Sequence, residues 1–118
     1  MNKYEKMSDP EINTRVAEIT GRVIQSPTAK GRQVVAVLSQ KLDGLVDTFD
    51  PCNNPLDAWP IIVDNEISLV KDAMEDKWSA RSGVDEFTYE SMSYWIEFSH
   101  EKPLRAAMIV FLMMKDAE

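Results

Sequence analysis

Nine apolar residues run without a break from Ala106 to Met114, just after a Pro103-Leu104-Arg105 start. A bilayer span needs roughly twenty such residues, so the run is too short to be a membrane helix. At helical spacing it is apolar on every side, and such a helix must be covered all round rather than lie on a surface. It predicts a buried carboxyl-terminal helix from Pro103 at the centre of the core. A chain of 118 residues can close one core of this kind and not two, which predicts a single domain over 1–118.

The remaining elements follow from local chemistry. Ser8-Asp9-Pro10-Glu11 is a capping box, with Pro10 in the first turn, where its missing donor is not needed. Ile12, Val16 and Ile19 then fall on one helical stripe, and Gly21 is a natural stop, so the spacing predicts a helix over 9–20. Gln33 to Leu38 is β-branched and continuous, Lys41-Leu42-Asp43-Gly44 reads as a turn, and Leu45 to Phe49 as the antiparallel return. Ser26 to Gly31 reads as a loop, the most mobile stretch expected. Asn54-Pro55 opens a second helix, short or kinked at Pro60 and ending by Asp64-Asn65, with Leu56, Trp59 and Ile62–Val63 as its buried face. Ile67–Val70, Trp78–Ala80, Phe87–Tyr89 and Tyr94–Phe98 are strand-sized, with a helix over Glu86–Phe98 as the competing reading. Lys102 is a poor cap for the last helix, and Ser99 or His100 is expected to serve an early turn instead.

Together these predict an α+β fold, with one antiparallel sheet of about four to six strands packed on helices. Pro55-Leu56-Asp57-Ala58 and Pro103-Leu104-Arg105-Ala106 both open helices after strands, 48 residues apart. The echo suggests a β-β-α pseudo-repeat, although helix-start chemistry alone favours the same letters.

Three blocks carry a resemblance: Met7 to Asn13, Cys52 to Ile62, and Pro103 to Met114. They resemble a NinX-like family of small proteins encoded in enterobacterial phages and prophages, and they fall near the start, middle and end of the chain. That family usually has Asn before the final Pro-Leu-Arg-Ala-Ala string, where this chain has Lys102, a departure that weakens the cap. The resemblance implies a phage accessory protein working inside a bacterial host. It brings no catalytic residue with it.

Charge and cysteine usage narrow the chemistry. Net charge is −7, yet residues 1–48 hold seven Lys/Arg against six Asp/Glu. Residues 64–101 hold ten acids against Lys71, Lys77 and Arg81. A chain so charged lacks the basic surplus that phosphate contacts require, beyond a modest patch of Arg15, Arg22, Lys30 and Arg32. Cys52 and His100 are the sole residues of their kinds, too few for a disulfide or an ordinary zinc site. The amino terminus carries no apolar signal region, and the expected location is the cytoplasm of the bacterial host.

Each candidate site has a plainer reading. Cys52 and His100 would need to meet to act as nucleophile and base; a packed thiol and an exposed imidazole are the simpler expectation. The start of the second helix would lower the Cys52 pKa. Asp43, Asp47 and Asp50, or Asp72, Glu75 and Asp76, lack the glycine-centred loop of a calcium site and read as solvated acids. No metal or cofactor is expected. Arg105 is expected in a structural salt bridge with Asp57 or Glu101. Trp59 and Trp78 read as core, and of Tyr94 and Trp95 one points outward. The candidate binding face is therefore Asp72, Glu75, Asp76, Asp85, Glu86, Glu90 and Trp95. The expectation is a non-enzymatic binder or modulator of a host or phage protein, with a basic partner suited to that acidic face. A regulatory protein binding nucleic acid, or a DNA-mimic inhibitor, is the alternative, and a homodimer is left open.

Overall fold

The computed structural model describes residues 2–26, 35–38, 46–82 and 96–118. Helix α1 (Asp9–Ile19) starts on the expected capping box: the Glu11 N–H donates to Ser8 Oγ at 3.3 Å, and the Ser8 N–H donates to Glu11 Oε1 at 3.5 Å. It ends on Gly21 at φ +80, with the Arg22 N–H reaching Ala17 O at 2.9 Å and the Gly21 N–H reaching Glu18 O at 3.2 Å. A left-handed residue there lets two orphan carbonyls of the last turn find donors. The buried side of α1 is Ile12, Asn13, Val16 and Ala17. Ile19, expected on that stripe, is the last residue of the helix and 46% exposed.

The fold is α+β, as expected, but the single sheet is not formed among the described residues. Strands β1 (Ile24–Ser26), β2 (Val35–Leu38) and β3 (Val46–Phe49) make one antiparallel sheet; β4 (Ile67–Asp72), β5 (Lys77–Ser82) and β6 (Ile96–His100) make another. Helix α2 (Pro55–Asp64) stands between β3 and β4 in the chain. The first trio packs on α1 and the second on the last helix, α3 (Pro103–Asp116), so the two trios cover different helices instead of joining edge to edge. Each trio is followed by a helix that begins on proline. Among the described residues, three strands rather than the two expected precede each of these helices. Strand β1 was not visible in the sequence, where its three residues carry no alternation. The predicted turn at 41–44 and the strand at 87–89 lie outside the described residues, as does all of the 26–31 loop except Ser26.

Residues Arg105 to Leu112 of α3 are all buried, and the helix packs against α1, α2, β4, β5 and β6. Register sets Leu69 beside Ala80 and Ala80 beside Phe98, an apolar row across the second sheet that covers it. The Lys102 cap supplies no side-chain bond; its N–H instead donates to His100 Nδ1 at 3.0 Å. No helix among the described residues is long and apolar enough to cross a membrane. Ile109 is fully buried at the middle of α3. Ile109→Ala is therefore expected to lower unfolding stability by about 2–5 kcal/mol in urea titrations, whereas Ile19→Ala should stay within about 0.5 kcal/mol.

Candidate functional site

The starts of all three helices converge on one polar junction. Arg105, one turn into α3, places Nη1 2.5 Å from Asp9 Oδ1, and Nη2 donates to the carbonyls of Met7 at 2.6 Å and Glu5 at 3.2 Å. The other Asp9 oxygen accepts from Lys102 Nζ at 2.6 Å and Asn53 Nδ2 at 3.1 Å. Asn53 also donates to Asp50 Oδ1 at 3.0 Å, and Asp50 Oδ1 accepts from Asn13 Nδ2 at 2.7 Å. Asn13 is wholly buried, and its Oδ1 accepts the Cys52 N–H at 3.1 Å. Asp57 Oδ2 accepts the Asp50 N–H at 2.9 Å. A buried amide with both ends satisfied is a rigid linker, and here it joins α1 to the turn that opens α2.

Arg105 thus forms the expected structural salt bridge, but with Asp9 rather than Asp57 or Glu101. The two residues are 96 positions apart, so no local spacing could suggest the pair. Burial would push the Asp9 carboxyl up, but the hydrogen bonds from Lys102, Asn53 and Arg105 outweigh it and hold the group below its ordinary value. Burial and then the Arg105 charge hold His100 low. Its Nδ1 accepts an N–H and so carries no proton, which places any ring proton of the neutral form on Nε2.

Cys52 is the packed thiol expected, but its pKa moves the opposite way to the helix-start expectation. Its thiol sits next to a helix start, which alone would lower the pKa, but burial pushes it up to about 12, with Asp9 adding in the same direction. No hydrogen bond joins it to His100 among the described residues. Neither carboxylate trio forms a metal site among those residues, and Asp43 lies outside them.

The candidate acidic face is only partly in view: Asp85, Glu86, Glu90 and Trp95 lie outside the described residues, as does Tyr94. Asp72, Glu75 and Asp76 are at the tip of the β4–β5 hairpin and exposed. Asp72 accepts the N–H groups of Met74 at 2.9 Å and Glu75 at 3.3 Å, and Asp76 pairs with Lys71 at 2.7 Å. Two of these three carboxylates therefore have local partners. Trp78 is half-buried, with the Lys71 ammonium 5.6 Å from its ring centre.

Among the described residues the exposed aromatic is Trp59. Helix α2 is capped as expected, Asn54 Oδ1 accepting the Leu56 N–H at 3.1 Å, and it ends at Asp64. It buries Ala58, Ile61 and Ile62. The side expected to be buried is largely outside: Leu56 is 83% exposed, Trp59 63% and Val63 52%. Positions i, i+3 and i+7 share one face of a helix, and exposed Pro60 extends that face. A helix apolar on two sides offers no periodicity to show which side the core takes. Asp57 and Asp64, seven positions apart, border the outer stripe, and the chain holds no Lys or Arg between Lys41 and Lys71.

Two measurements check this geometry. Asp9 has a depressed pKa, so its contribution to stability is full above the unfolded carboxylate value near 4 and is lost as pH falls through the lower folded value. Asp9→Asn should lower stability by about 3 kcal/mol at pH 7, since it removes the counter-charge of a buried guanidinium, and should flatten the acid limb of stability against pH. Cys52 should resist iodoacetamide at pH 8 in the folded protein and react readily once unfolded by urea; fast native alkylation would contradict its burial.

No curated protein matches the chain. The family model described as bacteriophage P22 NinX matches residues 3–115. All three segments that meet at the polar junction lie within that match. The chain belongs to the bacteriophage P22 NinX family and is a NinX-like phage protein.

Proposed function

We propose that this phage accessory protein acts without catalysis, in the cytoplasm of the bacterial host, by binding another protein through the outer face of α2. The observation that carries this reading is the Leu56, Trp59 and Val63 stripe, left in water on a helix whose opposite side is already in the core. Contiguous exposed apolar surface commonly marks an interaction site, and Trp is enriched among binding anchors. The non-catalytic reading is supported by a buried, protonated Cys52 thiol and by an Asp9 carboxylate already taken by three donors. Both are held in structure rather than offered to a substrate.

Nucleic acid suits this face poorly. Phosphate contacts need cations, and the sequence from 42 to 70 has none. The hairpin acids Asp72, Glu75 and Asp76 remain the rival protein-binding surface. Two arms of one experiment separate the surfaces: tagged wild type, Leu56→Ser/Trp59→Ala and Glu75→Gln/Asp76→Asn are each used to capture proteins from phage-infected cells. The α2 variant should lose the specific proteins while its circular dichroism stays native, and the hairpin variant should retain them. Loss only from the hairpin variant would move the interface there. Equal recovery by all three would refute both surfaces.

A further inference from the structure

We infer that α2 docks as a helix into a groove of the partner protein that has an apolar floor and a rim of Lys or Arg side chains. This rests on the reading of α2 as the binding face. Burying Leu56, Trp59 and Val63 in a partner gains free energy in proportion to the apolar area removed from water. Association costs translational and rotational freedom, which is set against that gain. The apolar stripe alone therefore does not set the affinity, and the border of the helix has to contribute.

That border is made of acceptors. Asp64 lies along it, exposed, and Glu66 follows, also exposed, just past the end of α2, whereas half-buried Asp57 already accepts the Asp50 N–H. Pro60 has no N–H, so the Leu56 carbonyl one turn earlier lacks its ordinary helical donor. Two carboxylates and an under-used carbonyl beside three apolar anchors call for donors that carry positive charge. Guanidinium and ammonium groups fit, and they would also accelerate encounter with a protein of net charge −7. The same arrangement argues against a second copy of this chain. Apposing two α2 helices would bring four carboxylates together with no Lys or Arg from residues 42 to 70 of either copy to balance them.

A photo-crosslinking benzoylphenylalanine placed at the Trp59 position, with a second variant carrying it at Glu75, reads the neighbour directly in infected cells. The expected adduct forms from position 59, and its partner peptide is apolar with Lys or Arg within a few residues. Asp64→Lys, combined with the position-59 probe, should cut adduct yield at least five-fold, and Asp64→Asn by less. A protein adduct from position 59 whose peptide lacks basic residues, or whose yield ignores Asp64→Lys, overturns the basic-rim groove but leaves protein binding by α2 standing. Absence of any adduct from position 59, or an adduct only with a second copy of the chain, overturns both.

Discussion

One cation decides how the helices meet. A guanidinium stays charged at any ordinary pH, and Arg105 sits on a helix whose next seven residues are buried with it. Removing an unpaired charge from water costs several kcal/mol, so the chain must bring compensation to it. Asp9 and the carbonyls of Glu5 and Met7 provide it. That requirement fixes where the amino-terminal segment crosses α3. Asp9 in turn takes Lys102 and Asn53, and Asn53 with Asn13 holds Asp50 at the turn before α2. The turn that opens α2 is thereby tied to a charge on a different helix.

The parts of this fold legible in the sequence are those decided locally. The Ser8–Glu11 capping box, the Gly21 stop, the Asn54-Pro55 start and the all-round apolar run of α3 each state their own outcome within a few residues. What failed was decided at a distance. Arg105 was foreseen as a salt-bridge residue, yet its partner lies at the other end of the chain. Asn13 breaks the apolar pattern of α1 and is nonetheless fully buried, because an amide can be satisfied by groups no pattern reveals. Strand-forming stretches do not announce their partners, so the sequence does not separate one sheet from two. For Cys52, two opposing effects were visible in principle, and burial proved stronger than the helix start.

The α2 error is of another kind. Leu56, Trp59 and Val63 form a respectable core stripe, and so do Ala58, Ile61 and Ile62. Hydrophobicity ranks the two sides about equally. Placement follows what the rest of the molecule can cover: among the described residues one sheet packs on α1, the other on α3, and α2 packs on α3 and β4. With that cover on one side, the opposite stripe stays in solvent. A bulky stripe left there is tolerable only if it does not drive copies of the chain together.

The flanking charges supply that restraint. Asp64 and Glu66 stand exposed beside the stripe, and no basic residue occurs from 42 to 70 to neutralise a like-charged neighbour. Two copies approaching through α2 would desolvate carboxylates against carboxylates, a cost that rises as the apolar surfaces close. A surface bearing cations reverses the sign of that term without altering the apolar gain. Leu56, Trp59 and Val63 thus supply attraction that is indifferent to identity, and the carboxylates beside them decide which surfaces benefit from it. In the proposed complex, affinity and selectivity would reside in different residues on and just after α2, so that each could be altered without the other.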